Sequence, residues 1–243
     1  MRIRLAVALV ALLGGCATEP LATSGAESLT IDQASVVAAL GDRVIVRGVA
    51  SSPLAQTDER PTYEMELRTP DLITQSPGRV LTGALVRDGA VWVLPDGTLE
   101  HDDGRLIDRD VVPELSVDAD GSALAYPRHT RAGGGVVVLD LQSGERRVVT
   151  GGLAVADRPI FLPDARLVVV GAHPSGISGI WIADPSGIAA PIPVTNAELR
   201  VGRPFGARFV PPPAYHASMR VEGSTLVYDD GRGEQRVTLP RGQ

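Results

Sequence analysis

The chain has 243 residues and a formal net charge of −6 at pH 7, and all of its 23 basic residues are arginines. It contains no basic run and only 4% aromatic residues, which argues against a nucleic-acid-binding protein. The single cysteine excludes an internal disulfide and a cysteine-based zinc cluster. The 27 glycines and 19 prolines favour many short strands joined by turns.

Residues 1–15 are typical of a signal peptide. A short basic segment, Met1–Arg4, precedes the apolar run Leu5–Leu13, whose nine residues are too few to span a bilayer as a helix. The next residues are Leu13-Gly14-Gly15-Cys16, and this arrangement resembles the lipobox of bacterial lipoprotein precursors.

The resemblance implies that Cys16 is acylated on its sulfur, that the chain is cut before it, and that the new amino terminus is acylated too. Several acyl chains give a durable membrane anchor. Residue 17 is alanine and not aspartate, and this choice resembles the outer-membrane sorting pattern of lipoproteins in two-membrane bacteria. The alternative is a soluble secreted protein with an incidental cysteine. In the lipoprotein interpretation, residues 16–28 are the lipidated cysteine and a flexible tether, because residues 17–28 are small and polar and show no periodicity.

We place the folded domain at residues 29–243. Two interpretations fit the first part of this domain. Thr30–Leu40 could form a short helix, because Thr30 begins a capping-box pattern and Gly41 could end it. The alternative, which we favour, is a hairpin of Val36–Leu40 and Arg43–Arg47, since the second segment is strongly β-forming. Thr62–Arg68 is predicted to be another strand.

A repeat dominates the rest of the chain, in which a short apolar run is followed by a turn that begins with aspartate. The runs are Val91–Leu94, Val136–Leu139, Ile180–Ala183 and Thr225–Tyr228, and the aspartates are Asp96, Asp140, Asp184 and Asp229. The aspartates are 44, 44 and 45 residues apart, a period that indicates a repeat fold. We expect each run to be the third strand of a four-stranded antiparallel sheet.

The unit around residues 115–146 identifies the type of repeat. It contains Leu115–Tyr126 with the sequence LSVDADGSALAY, then a strand that ends at Asp140, then Gly144-Glu145. This order resembles the propeller repeat of the periplasmic TolB family, although the next unit has Asp164-Ala165 in place of Asp-Gly. The resemblance implies an all-β fold, a β-propeller of four-stranded antiparallel blades.

Chain length sets the number of blades. Leu72–Leu239 contains 168 residues, or about 42 for each of four units, which matches a four-stranded blade. Residues 28–71 leave room for one more. Length therefore predicts about five blades, fewer than the six that the TolB resemblance implies. Ring closure predicts that the N-terminal segment either pairs with Gln235–Leu239 or lies against the last unit.

No pattern of catalytic residues is evident in the sequence. The turn aspartates are best explained as caps of their turns. Asp118-Ala119-Asp120-Gly121 starts like a calcium loop but has His129 at loop position twelve, where glutamate is needed. A nucleophile elbow would need glycine at Ile180. Trp92 and Trp181 are expected at equivalent strand positions, packing between blades.

One face of the predicted propeller collects histidines and arginines. His129, His173 and His216 are 44 and 43 residues apart, which places them in loops between second and third strands. Arg158 and Arg203 lie where the chain enters the innermost strands, on the same face. We predict a binding face formed by these residues with Arg128 and Arg131. The alternative is that repeated loops share polar residues without a common role. A shared metal site is not expected, because equivalent loops of adjacent blades lie too far apart for zinc–nitrogen bonds of about 2 Å.

These features predict a non-enzymatic lipoprotein anchored in the outer membrane and facing the periplasm, with a propeller that binds an envelope protein or a small ligand. No cofactor and no nucleic-acid partner are expected. One alternative is a propeller enzyme, a hydrolase or lyase, with its site at the mouth of the central channel. Another is a β-sandwich lipoprotein, which would lack rotational pseudo-symmetry.

Replacement of the cysteine tests the anchor. We expect Cys16→Ala to leave the precursor unprocessed by the lipoprotein pathway, because no sulfur is available for acylation. Membrane fractionation with mass analysis of the N-terminal peptide measures this, and Ala17→Ser, which keeps the cysteine, should still be processed. Wild-type protein in the soluble fraction with an unmodified cysteine would contradict the lipobox interpretation.

Overall fold

The structure, a computed structural model, describes residues 36–50, 62–130, 133–175, 178–194, 219–229 and 233–240. The predicted signal peptide, Cys16 and the tether lie outside these ranges. Regular structure within them consists of nineteen strands. The same ranges contain no helix that is long and apolar enough to cross a membrane.

The strands form five sheets, and within each sheet consecutive strands pair antiparallel. The first sheet contains β1 (Val36–Leu40), β2 (Arg43–Ala50), β3 (Tyr63–Arg68) and β4 (Ile73–Val80). The second contains β5 (Thr82–Val86), β6 (Gly89–Val93), β7 (Leu99–His101) and β8 (Leu106–Asp108). The third contains β9 (Ser116–Val117), β10 (Ala123–Thr130), β11 (Gly133–Asp140) and β12 (Arg146–Val148). The fourth contains β13 (Val155–Phe161), β14 (Leu167–Ala172), β15 (Ser178–Ala183) and β16 (Ile192–Pro193), and the fifth contains β17 (Arg220–Glu222), β18 (Thr225–Asp229) and β19 (Glu234–Thr238).

The first strands of consecutive sheets are neighbours: β1 packs beside β5, β5 beside β9, and β9 beside β13. Each sheet then continues strand by strand away from this inner row. Small antiparallel sheets repeated in this way form a β-propeller, as predicted. The five sheets in the described residues also match the number predicted from chain length.

The favoured hairpin at the start of the domain is confirmed. Leu40 pairs with Arg43 across a turn of Gly41 and Asp42, and Gly41 has a φ of 64°. Glycine adopts this left-handed conformation without a steric penalty, which suits it to a two-residue turn.

Four hydrophobic clusters lie between successive sheets and explain why the strands are apolar on both sides. Leu85, Ala90 and Trp92 face the first sheet, whereas Val86, Val91 and Val93 face the third. Alternate side chains of a strand point to opposite faces. A sheet packed between two others therefore has continuous apolar runs. Within the described part of the chain, no cluster joins the first sheet to the fifth.

The two ends of the sheets differ, and we call them the lower and upper faces. The lower face carries the turns between first and second and between third and fourth strands. The N–H of Arg87, in the β5–β6 turn, donates to the carbonyl of Gly121 in the β9–β10 turn at 2.8 Å. The upper face carries the loops between second and third strands and the connections that enter each sheet.

The repeat alignment was right for two units and wrong for two. β11 and β15 are third strands, as predicted, but the strand that contains Val91 and Trp92 is the second strand of its sheet. The second sheet is compact, with a two-residue turn between β5 and β6. Its Asp96 therefore precedes β7 on the upper face, and the 44-residue spacing to Asp140 on the lower face does not reflect equivalent turns.

The fifth sheet also departs from the alignment. Its β17–β18 turn lines a cavity with Pro163 and Asp164 of the β13–β14 turn. The N–H of Leu239 donates to the carbonyl of Ser224 as the N–H of Leu141 does to the carbonyl of Ser122. Both contacts place β18 as a second strand, whereas the alignment made it a third strand. β19 pairs with β18, and the first sheet is complete without it.

The prediction for the two tryptophans was half right. Trp92 lies on a second strand and Trp181 on a third, so their positions are not equivalent. Both are buried in clusters between sheets, as expected from their size.

Gly83→Ala tests the packing between the first two sheets. A Cβ at this position would lie 2.5 Å from ring carbons of Trp92, which is 1% exposed and has no room to move. We expect the free energy of unfolding to fall by about 1–3 kcal/mol, measured by chemical denaturation. Gly151→Ala is the control, because its Cβ would meet no atom within 4 Å. Equal stability of the two variants would contradict this packing.

Candidate binding face

The structure brings four of the predicted binding residues to the upper face. Arg128 and His129 lie near the end of β10, Arg158 lies early in β13, and His173 follows β14. The other three, Arg131, Arg203 and His216, lie outside the described residues. The four described residues fall into two groups, an inner cluster at the junction of the third and fourth sheets and a separate site around His173.

His129 is joined to a buried carboxylate of the next sheet. Its Nε2 lies 2.8 Å from Oδ1 of Asp157, whose side chain is only 4% exposed. The backbone N–H of His129 donates to the carbonyl of Asp110 at 3.1 Å. Gly134 lies across from His129 in β11, and a Cβ there would be 2.6 Å from the imidazole. The imidazole therefore depends on a glycine beside it and on a carboxylate from another sheet.

Arg158 is largely buried and paired with Glu114. Its backbone N–H donates to Oε2 of Glu114 at 3.0 Å, and its Nε lies 3.5 Å from Oε1. Burial lowers the pKa of the Arg158 guanidinium, while the Glu114 charge opposes that shift. Arg158 has a φ of 52°, and the pairing of β13 with β14 shifts register between Asp157 and Ile160. This left-handed conformation is uncommon for any residue except glycine.

Arg128 belongs to a group centred on Asp108. Its Nε lies 3.7 Å from Oδ1 of Asp108. The other oxygen of this carboxylate, Oδ2, accepts a 2.8 Å hydrogen bond from the hydroxyl of Tyr126. Burial, and then the Asp108 carboxylate, raise the pKa of Tyr126. Arg146 donates to the carbonyl of Ile107 at 2.6 Å, beside the same carboxylate. Long-range contacts assemble this group, and no pattern in the sequence pointed to Asp108.

His173 lies apart from the inner cluster. Its Nδ1 is 2.8 Å from the hydroxyl of Ser175 and accepts the backbone N–H of that residue at 3.2 Å. Its ring stacks on Trp181, with ring centroids 6.3 Å apart. His173 and Trp181 line a cavity of about 340 Å³.

Three of the four turn aspartates cap their turns, and the side chain of the fourth, Asp229, is outside the described part of the chain. Asp96 accepts the N–H of Thr98 at 2.9 Å, Asp140 accepts that of Ser143 at 2.8 Å, and Asp184 accepts that of Ser186 at 2.9 Å. Hydrogen bonds from the same three partners lower the pKa of each carboxyl. Asp118, at the start of the calcium-like sequence, accepts hydrogen bonds from Ser122 and Ala123. The described residues contain no group of three or more histidine, cysteine or acidic side chains that could hold a metal ion.

Sequence reasoning also missed a buried histidine on the lower face. The side chain of His101 is 5% exposed, and its Nδ1 lies 2.9 Å from Oδ1 of Asp102 and 3.2 Å from Oδ1 of Asp103. The acidic pair directly after a histidine was the available signal.

Known structures support the fold, while sequence comparisons add no family. No protein-family model and no curated protein sequence matches the chain. Dipeptidyl peptidase 4 from Porphyromonas gingivalis is 12% identical with a TM-score of 0.52, over 77% of this chain and 35% of that one. An oligogalacturonate lyase in complex with manganese is 14% identical with a TM-score of 0.52, over 82% of this chain and 63% of that one.

A protein assigned as TolB from Agrobacterium tumefaciens is 17% identical with a TM-score of 0.42, over 68% of this chain and 65% of that one. The chain thus spans less than two thirds of each of these proteins. At such identities the likeness to the dipeptidyl peptidase and to the lyase shows a shared fold and not a shared activity. The chain is a β-propeller module with a polar upper face.

A double-mutant cycle on Asp157→Ala and His129→Ala tests the inner cluster. We expect a coupling energy of about 1–3 kcal/mol in chemical denaturation, because removal of the imidazole leaves the buried carboxylate of Asp157 without this hydrogen bond. The control is the exposed pair Glu64 and Arg79, 3.4 Å apart, for which the coupling should stay below about 1 kcal/mol. A coupling for His129 and Asp157 no larger than that of the control would contradict the described junction.

Proposed function

We propose that this protein is an outer-membrane-anchored periplasmic lipoprotein whose β-propeller binds an envelope protein or a small ligand through its upper face. The lipobox-like sequence ending at Cys16 supports the anchor. The upper face supports the binding role, and the observation that carries it is the strained, charged junction around Arg158.

Two features of that junction favour function over stability. Of the three non-glycine residues with positive φ in the described ranges, Asp110 and Arg158 lie on the upper face, and the third, Ala165, lies in the β13–β14 turn of the lower face. Strained backbone persists only where the surroundings impose it, and it concentrates at functional sites. Buried ion pairs add little stability over well-packed apolar residues. A junction that needed only to hold two sheets together would be simpler if it were apolar.

One observation favours the alternative, a hydrolase or lyase at the mouth of the propeller. His129 bound to the buried carboxylate of Asp157 is the pairing that orients a general base. A base alone is insufficient, because either reaction also needs a nucleophile, a metal or a stabiliser of developing charge beside it. Binding therefore remains the proposed function.

Photo-crosslinking in cells tests the binding role. Photoreactive residues at Arg109 and Ser175 sample the upper face, and matched residues at Gln142 and Ile188 sample the lower face. We expect adducts with a specific envelope component from the upper-face positions only, because that face carries the polar junction. Adducts of equal strength from the lower face, or none from the upper face, would refute the proposal.

A further inference from the structure

A cavity lies at the upper, outer junction of the third and fourth sheets. It has a volume of about 340 Å³ and is lined by Gly151 and Gly152 before β13, by His173 and Ser175 after β14, and by Trp181 of β15. This volume falls within the range of small-ligand pockets. None of the inner-cluster residues lines it, so it is a separate site on the same face.

The hydrogen bonds of His173 define which ring nitrogen remains for a ligand. A backbone N–H can only donate, so the bond from Ser175 N–H requires a lone pair on Nδ1 of His173. The proton of the neutral imidazole is then on Nε2. No other described residue bonds that nitrogen, which leaves Nε2–H as a donor on a ring that lines the cavity.

The glycine turn adds two further donors. The N–H of Leu153 donates to the carbonyl of Thr150 at 3.1 Å and closes the turn, in which Gly152 has a φ of 92°. The N–H groups of Gly151 and Gly152 make no hydrogen bond to another described residue. A Cβ on either glycine would meet no atom within 4 Å, so the space above the turn is open. Consecutive N–H groups in such turns form concave anion sites.

Charge and polarity restrict the ligand. The chain carries a net charge of −6, yet no acidic residue is among the described residues that line the cavity. The rest of the lining is apolar, with Leu153, Trp181 and Pro191 as its larger members. The cavity thus combines three unused donors with an apolar surface, and none of its described lining residues carries a carboxylate that would repel an anion.

We infer that this cavity binds a carboxylate that adjoins an apolar group, as in an N-acylated amino acid or at the C-terminus of a peptide. The carboxylate accepts from the glycine N–H groups and Nε2–H of His173, and the apolar group contacts Trp181 and Pro191. The inference rests on the proposed binding role of the upper face and names a ligand class for it.

Calorimetric titration of the full-length protein in mild detergent tests the inference. The probes are N-acetyl-leucine and N-acetyl-alanyl-alanyl-leucine, each as the free acid and as the amide. We expect saturable binding of the acids and at least tenfold weaker binding of the amides, since a charged acceptor roughly doubles hydrogen-bond strength. A stronger response to the tripeptide assigns a peptide C-terminus, and equal responses assign the single amino-acid derivative.

Two variants locate the binding. Gly151→Leu projects a side chain into the open cavity without a clash and should abolish binding, whereas Gln142→Leu adds the same side chain on the lower face and should leave it unchanged. His173→Ala removes one donor and the stacked ring and should weaken binding at least tenfold. Equal affinity for acid and amide, full binding by Gly151→Leu, or no saturable binding would overturn the inference. Because only purified protein is used, a negative result leaves the crosslinking test of the proposed function independent.

Discussion

No sheet of this protein can bury its apolar side chains by itself. Each has three or four short strands with apolar residues on both faces, so its stability depends on the sheets beside it. Trp92 shows the constraint clearly, since it projects from the second sheet into the first and is 1% exposed there. The order of sheets along the chain, the length of the strands and the demand for tight turns all follow from this dependence.

The same constraint determines where polar chemistry can occur. The side chains of the strands pack between sheets. On the lower face, Asp140, Asp184 and similar residues accept hydrogen bonds from the N–H groups of the tight turns. The upper face has the loops between second and third strands and the connections that enter each sheet. There, the polar side chains of Asp157 and Arg158 form contacts across the junction between two sheets. A propeller can change these connections without disturbing its core, which explains how one architecture serves many functions.

Local patterns in the sequence predicted the local structure well. The hairpin at Gly41, the strands β11 and β15, and the turn caps all depend on residues close together in the chain, where propensity and turn chemistry act directly. The 44-residue period wrongly predicted β6 to be a third strand, because a period counts residues and not strands. A compact sheet with a two-residue turn moved Asp96 to the opposite face while the spacing of 44 was preserved.

The candidate site was predictable only in part. The repeat placed His129 and His173 on one face, but it gave no sign that the first binds Asp157 and the second stacks on Trp181. Those partners are fixed by register and by packing between sheets, since Asp157 is 28 residues from His129. The burial of Arg158 was equally invisible, because arginine is usually exposed and its position next to Glu114 arises only when two sheets meet.

The positions of the two tryptophans make them intrinsic fluorescence probes of two different interfaces between sheets. Trp92 lies in the cluster between the first and second sheets, and Trp181 in the cluster between the third and fourth. The two indoles therefore sample interfaces that have two sheets, the second and the third, between them, and neither cluster shares a residue with the other. The indole N–H of Trp181 donates to the carbonyl of Gly171, whereas that of Trp92 has no hydrogen-bond partner among the described residues, so the two emit from different surroundings. Their separate signals distinguish sheets that unfold one after another from one end from sheets that unfold all at once.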